Sequence, residues 1–348
     1  MRLFTNMKVL SSDEGEKPRV FMHKNDEKIL SLLCNNIRLP LSKIAKILNL
    51  SRQSVEYRIN VMNKNHLLAG SRTLVNIKKL GYQSYHFFLN VASDNAERIF
   101  RQNCIEDSSV NALISYSGKW NYEVSIMESS PEKAQNKFLN LIKNLDIENY
   151  FSCILLENIK SSVLPGIVSK TRVIKNIKND PSFSRQFLEK KIEYTPDSKD
   201  LEILYLLSQD AQINISAIGR RVKLTKDTIS YRIKKLIKSN YIVQFRPIID
   251  FSVLGLSVQA LLVKMDSKNP RDNENIKNYL EKSDKVLWAT RLFGDWDYLV
   301  YILDKNVEEI HSFIKDLKKE FKESIKSYEI LYAYHEYKYG FMTENIAE

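Results

Sequence analysis

Apolar residues recur at helical spacing from residue 26 onward. Ile29, Leu30, Leu32 and Leu33 fall on one face of the segment 26–36, which predicts an amphipathic helix. Leu41, Ile44, Ala45 and Leu48 predict a second, shorter helix over 41–48. Asn49-Leu50-Ser51 then breaks the pattern. Asn tolerates a left-handed backbone, and Ser51 is a good N-cap for the next helix. That third helix is predicted over 51–64, with a narrow apolar stripe of Val55, Ile59 and Met62. At about 100° per residue its opposite face carries Gln53, Tyr57, Asn60 and Lys64. Leu67–Val75 reads as a small hairpin, a wing. A short helix, a tight turn and a helix with a polar outer face make a helix-turn-helix.

The pattern returns 174 residues later. Asp26 falls on Asp200 and Gly81 on Gly255 without a gap, and about a quarter of the positions are identical. Ile29-Leu30 matches Ile203-Leu204, Tyr57-Arg58-Ile59 matches Tyr231-Arg232-Ile233, and Leu80-Gly81 matches Leu254-Gly255. Lys223 stands at the Asn49 position, a costlier residue for a left-handed turn, while Thr225 keeps the cap. The outer face of the second reader becomes Asp227, Tyr231, Lys234 and Lys238, and Tyr241–Ile249 reads as its wing.

Alternating segments come after each copy. In copy two, strands are predicted at Val258–Met265, Val286–Leu292, Tyr298–Leu303 and Ser327–Tyr334, with helices at 273–282 and 306–321. In copy one the strands are Tyr85–Val91, Val110–Tyr116, Tyr122–Met127 and Phe151–Leu156, with helices at 94–103 and 131–144. The order β-α-β-β-α-β is ferredoxin-like. The fold class is therefore α+β, with two winged helix-turn-helix domains alternating with two ferredoxin-like βαββαβ domains. The boundaries are a tail at 1–24, reader one at 25–81, a βαββαβ domain at 82–160, a basic linker at 161–197, reader two at 198–255, a second βαββαβ domain at 256–340 and a tail at 341–348. Residues 183–192 of the linker suit a short helix.

Charge respects this division. Residues 26–81 carry ten Lys/Arg against three Asp/Glu, 200–255 nine against five, and 160–199 nine against four. Residues 82–159 carry six against ten, and 256–348 fourteen against seventeen. Basic modules alternating with acidic ones favour a polyanion that meets only the former. Double-stranded DNA is the expected partner.

On that reading the start of the third helix enters the major groove. Gln53 can pair with an adenine edge, Arg52 can reach guanine or phosphate, and Asp227 can accept from a cytosine amino group. Ser54, Lys226 and Thr228 complete this first turn, and Tyr57 and Tyr231 can donate to phosphate or pack on sugar. Arg58 and Arg232 lie about 60° from the centre of the apolar stripe. They suit either a phosphate contact or a half-buried ion pair that anchors the helix. Lys64 and Lys238 serve the helix dipole.

The βαββαβ modules show no catalytic motif. His86, His311 and His335 lack metal-ligand spacing, and there is no P-loop, G-x-S-x-G or HExxH. Trp120 and Trp296 read as core or interface residues. Cys34, Cys104 and Cys153 are isolated among apolar neighbours, which fits a reducing compartment. There is no run of 18 apolar residues, and the first 24 residues carry Asp13, Glu14 and Glu16 without an apolar core. The expectation is a cytoplasmic protein with no membrane partner, no metal and no cofactor.

These residues together resemble the Lrp/AsnC (feast/famine) transcription regulators. Asp200, Ile203-Leu204, Leu224-Thr225, Arg232-Ile233, Leu254-Gly255 and Gly294-x-Trp296-Asp297 carry the resemblance, which covers nearly all of 25–160 and 198–340. The resemblance implies a winged helix for DNA and a RAM/AsnC-type domain for assembly and small-molecule regulation. It also implies self-association through the βαββαβ sheets and an effector, often an amino acid, near the Gly-x-x-Asp turn. Carried over, that marks Arg291, Gly294, Asp295 and Asp297. In copy one, Tyr116, Ser117, Gly118, Lys119 and Asn121 stand there, so the anionic anchor is missing. The departure from the family is the tandem itself.

Three functions compete. The first is a sequence-specific DNA-binding regulator that acts as a covalent pseudo-dimer, with divergent readers (Gln53/Asp227, Glu56/Ser230) suited to non-palindromic sites. Siroheme decarboxylases resemble the same family and supply the second. Their typical His is absent from Ser115–Lys119 and from Thr290–Gly294, so no enzymatic activity is expected. The third is an assembly or amino-acid-sensing protein with vestigial readers, against which the basic charge of those modules argues.

Overall fold

The computed structural model describes residues 20–168, 193–266 and 270–348. Copy one runs α1 (Lys24–Asn35), α2 (Leu41–Leu48), α3 (Arg52–Lys64), β1 (Leu68–Val75), a 3₁₀ turn at Ile77–Leu80, β2 (Gln83–Val91), α4 (Asp94–Glu106), β3 (Val110–Ser117), β4 (Tyr122–Glu128), α5 (Pro131–Leu141) and β5 (Ile147–Ser161). Copy two repeats the order with α6 (Ser198–Gln209), α7 (Ile215–Val222), α8 (Lys226–Lys238), β6 (Ile242–Ile249), a 3₁₀ turn at Phe251–Leu254, β7 (Ser257–Met265), α9 (Pro270–Lys282), β8 (Val286–Gly294), β9 (Tyr298–Asp304), α10 (Val307–Glu320) and β10 (Ile325–Tyr339). The helix expected at 183–192 lies outside the described residues.

The tight turns form as their residues predict. Asn49 sits at φ 53°, ψ 49° and Lys223 at φ 56°, ψ 48°, both left-handed. Ser51 Oγ accepts from the Ser54 N–H at 3.0 Å, and Thr225 Oγ1 accepts from the Thr228 N–H at 3.3 Å. Each cap satisfies one of the free N–H groups that start a helix.

The wings differ from the predicted hairpins. β1 and β6 are single strands that pair antiparallel with each other, so each copy supplies half of a two-stranded ribbon. Gly70, the residue that suggests a turn, sits at φ 148° beside a register shift in β1. It makes a bulge within a strand rather than a reversal. The readers are crossed on this ribbon. The Ile37 N–H donates to Phe245 O (3.1 Å) and Gln244 Nε2 to Cys34 O (2.8 Å). Reciprocally, Ser71 Oγ donates to Asp210 Oδ1 (2.6 Å). Each reader thus docks on the strand of the other copy, and the apolar faces of α1–α3 and α6–α8 merge into one core.

The βαββαβ modules also close on each other. Eight strands form a barrel in the order β10-β3-β4-β2-β5-β8-β9-β7. The seams are β5 with β8 and β10 with β3, both between copies. Strands β5 and β10 are longer than their apolar patterns predict, because each leaves its own sheet halfway along. β5 pairs with β2 up to Ile154 and with β8 from Cys153. β10 pairs with β7 up to Tyr332 and with β3 beyond it. The barrel interior is filled from both copies by Phe88, Trp120, Phe151, Leu262, Trp296 and Leu299, among others. Trp120 and Trp296 are therefore inter-copy core. α4 and α5 cover the outside of one half, and α9 and α10 the other. The sheet pairing that the resemblance places between subunits is made here within one chain.

Cys34, Cys104 and Cys153 are buried free thiols. Among the described residues no group of three His, Cys, Asp or Glu is placed to hold a metal, and no helix is long and apolar enough to cross a membrane.

Candidate nucleic-acid interface

The reader helices present their first turns outward because the stripe Val55, Ile59, Met62 (Ile229, Ile233, Leu236 in copy two) faces the shared core. Arg52, Gln53, Tyr57, Lys226, Asp227 and Tyr231 are all exposed. Tyr57 and Tyr231 are 70% and 65% exposed, which no packing role requires. Ser54 is half-buried, and its N–H serves the Ser51 cap. Thr228 shares a hydrogen bond with Thr225 (2.8 Å), and the Ser230 hydroxyl turns back to Lys226 O (2.9 Å). Arg58 and Arg232 are engaged by carboxylates within the chain. Arg58 Nη1 lies 2.7 Å from Asp26 Oδ1. Arg232 Nη1 lies 2.8 Å from Asp197 Oδ2 and 2.9 Å from the fully buried Asp200 Oδ1. These guanidiniums tie each reader helix to the first helix of its own copy. Of the two alternatives open at Arg58 and Arg232, the geometry takes the anchor.

The Gly-x-x-Asp turn makes matching backbone contacts in the two copies. Asp297 Oδ2 accepts the Met265 N–H at 2.8 Å, with Lys264 Nζ 3.7 Å away. Asn121 Oδ1 accepts the Val91 N–H at 3.1 Å in the equivalent place. Both side chains bond the last residue of a strand. Gly294 (φ +144°) presses on β5, where a Cβ would lie 2.8 Å from Ser152 O. Gly118 does the same against β10, with Ile330 O at 3.1 Å. These glycines allow the two halves of the barrel to close. Arg291 lies on β8 opposite Glu157, and Asp295 is exposed.

The interior holds polar chemistry that the strand patterns did not single out. Glu123, 1% exposed, accepts from Tyr116 OH (2.6 Å) and Tyr301 OH (2.7 Å), and its other oxygen lies 2.6 Å from His86 Nδ1. His86 Nε2 is 3.1 Å from Ser125 Oγ. Burial first, and the Glu123 carboxylate next, hold both phenols well above their ordinary range, so they stay neutral donors. A cavity of about 340 Å³ lies between this cluster and the β1–β6 ribbon. Arg72 and Arg246 line it from the ribbon and are direct cross-strand neighbours. A signal for them is present in the sequence, since both are Arg at the same repeat position. His86, Glu123 and Ser125 are polar residues in otherwise apolar strands, which is also a signal.

Known proteins place the chain. A family model described as the AsnC-type helix-turn-helix domain matches 22–62, and one described as winged helix-turn-helix DNA-binding matches 196–243. The Lrp/AsnC ligand binding domain matches 260–342. The HTH-type transcriptional regulator FL11 of Pyrococcus horikoshii is 34% identical over 119 residues, covering 34% of this chain and 77% of that protein. The transcriptional regulator AzlB of Bacillus subtilis is 31% identical over 123 residues, again 34% and 77%. The crystal structure of the siroheme decarboxylase NirDL superposes on nearly the whole chain (TM-score 0.61, 93% of this chain and 96% of that one) at 13% identity, a likeness of fold alone. With the reader helices, the ligand-binding module and relatives above 30% identity in agreement, the chain belongs to the Lrp/AsnC family of helix-turn-helix transcriptional regulators.

Proposed function

We propose that the chain reads one asymmetric duplex site with both reader helices at once, and that a small molecule modulates this. The observation that carries the reading is the shared reader core. The crossed hydrogen bonds to β1 and β6 hold α3 and α8 in one body, while their first turns carry different chemistry, Arg52-Gln53 against Lys226-Asp227. A donor-acceptor amide and a carboxylate favour different base edges. Because the pairing is internal, both halves of the operator reader come from one gene product, and DNA in the cytoplasm is the target of recognition. The resemblance sets an amino-acid effector at the turn of Arg291, Gly294, Asp295 and Asp297, of which Asp295 offers an exposed carboxylate.

Selection of bound duplexes from a random pool, using the full chain, tests the proposal. The expected consensus has two unlike half-sites about 10 bp apart, one helical turn. A palindromic consensus overturns it.

The whole-chain likeness to NirDL supports a second reading, an enzyme of the same architecture. We set it behind the first because Ser115–Lys119 and Thr290–Gly294 lack the histidine typical of such enzymes. Incubation with siroheme should release no carbon dioxide.

A further inference from the structure

Arg72 and Arg246 meet where the two copies cross. They occupy the same repeat position and face each other in register in the antiparallel ribbon. Like charges directly opposite are unfavourable in such a pair, so their retention in both copies needs a counter-charge. Glu336 of β10, 6% exposed, supplies one carboxylate near Arg72. Arg246 donates through Nε to Gln244 Oε1 (2.8 Å) and through Nη1 to Ser161 Oγ (2.8 Å). Arg72 is less well served: its Nε is buried and has no hydrogen-bond partner. A buried guanidinium N–H left unbonded is unfavourable, because it has given up its water without gaining an acceptor. The cavity beneath is mostly apolar, lined by Leu287, Trp288, Tyr301, Ile248 and Phe251. Its volume of about 340 Å³ is at the small end of the roughly 300–1,000 Å³ typical of ligand pockets.

We propose that this cavity binds a small carboxylic acid with an apolar body, its carboxylate on Arg72 beside Arg246 and its body against Trp288 and Tyr301. This site is separate from the Gly-x-x-Asp turn. Its position gives the ligand a short route to both readers. Arg246 bonds Gln244, whose amide holds Cys34 O of α1. Ser71, next to Arg72, holds Asp210 at the end of α6. A carboxylate drawn onto Arg72 therefore tightens the ribbon on which the readers are crossed. Binding itself does not depend on the regulator reading; only the coupling to DNA does.

Calorimetry and intrinsic fluorescence on the full chain test both parts. The probes are phenylacetate, phenylpyruvate, 4-methyl-2-oxopentanoate, phenylalanine and leucine, with phenylacetamide as the uncharged control. At least one acid should bind saturably, one per chain, and change the tryptophan emission. That change should be lost in Trp288→Phe, with calorimetric binding weakened as well, since Trp288 lines the cavity whereas Trp120 and Trp296 lie in the barrel core. Arg72→Met should weaken binding tenfold or more, with Arg72→Lys intermediate. Melting of each variant without ligand shows that the fold persists. No saturable binding by any acid, equal binding of phenylacetamide, or undiminished binding by Arg72→Met overturns the site. Unchanged DNA affinity at saturating ligand overturns the coupling, whereas failure to bind DNA with or without ligand would count against the regulator reading instead.

Discussion

Replacing Arg232 with methionine separates clamp residues from groove residues. Its Nη1 bonds Asp197 Oδ2 at 2.8 Å and Asp200 Oδ1 at 2.9 Å, and Asp200 is 0% exposed. Methionine keeps the apolar stem and removes the charge. Asp200 then retains the Asp197 N–H at 3.2 Å and the Tyr194 hydroxyl. Breaking a buried ion pair from one side costs about 3–5 kcal/mol. The retained bonds, and the 21% exposure of Arg232, lower the expected cost to about 2–3 kcal/mol. The equivalent Arg58→Met breaks one 2.7 Å bond to a carboxylate that is 14% exposed, and should cost about 1 kcal/mol. Burial pushes the Asp197 carboxyl up, but the Asp200 N–H and Arg232 outweigh it and hold the carboxyl below its usual value. A depressed folded value stabilises the fold above about pH 4 and is lost as the pH falls further. Arg232→Met should therefore also blunt the acid sensitivity of the fold. Denaturant unfolding at pH 7 and pH 3.5 measures both effects. Binding to duplex DNA across a salt series is the second assay. Arg232→Met should leave the log–log slope unchanged, whereas Lys226→Met should make it shallower by about 0.9. If Arg232→Met costs less than about 0.5 kcal/mol and reduces the slope by about 0.9, Arg232 is a phosphate contact and the clamp argument fails.

Gln53→Ala should cost about 1–3 kcal/mol at the preferred site and much less elsewhere; equal loss on all duplexes, by anisotropy, would show that Gln53 reads no base. Gly294→Ala forces a Cβ to within 2.8 Å of Ser152 O at φ +144° and should destabilise the fold by about 1–3 kcal/mol. Gly118→Ala, with its nearest contact at 3.1 Å, should cost less, and the order of the two melting temperatures checks this. Burial pushes the Asp304 carboxyl up to about 6. Since the folded value is raised, this acid destabilises the fold as the pH rises from about 4 to about 6 and remains a burden above that. Asp304→Asn should raise the melting temperature at pH 7.5 and leave it unchanged at pH 3.5; a drop at pH 7.5 would mean that the charge is satisfied.

The local units were legible from residue patterns because their causes are local. The spacing of Leu41, Ile44, Ala45 and Leu48 gives α2 its one inward face, and Asn49 and Ser51 end one helix and start the next through their own backbones. The β-α-β-β-α-β order came from alternation and periodicity, and the divergence of Gln53 from Asp227 was visible by aligning the chain with itself. What the chain could not announce is which copy each surface meets. The second halves of β5 and β10 lack a strong apolar signature, because their partners β8 and β3 lie in the other copy. Gly70 looks the same whether the strand reverses or bulges, and only the opposite strand β6 decides. Arg58 and Arg232 sit at a helix angle open to DNA or to a carboxylate, and the packing of α1 and α6 chose the carboxylate. Two readers, two ferredoxin-like modules and their family could all be read from residue order alone. That the copies interlock could not, since the pairing of strands from different copies depends on contacts more than a hundred residues apart, where no local pattern records the partner.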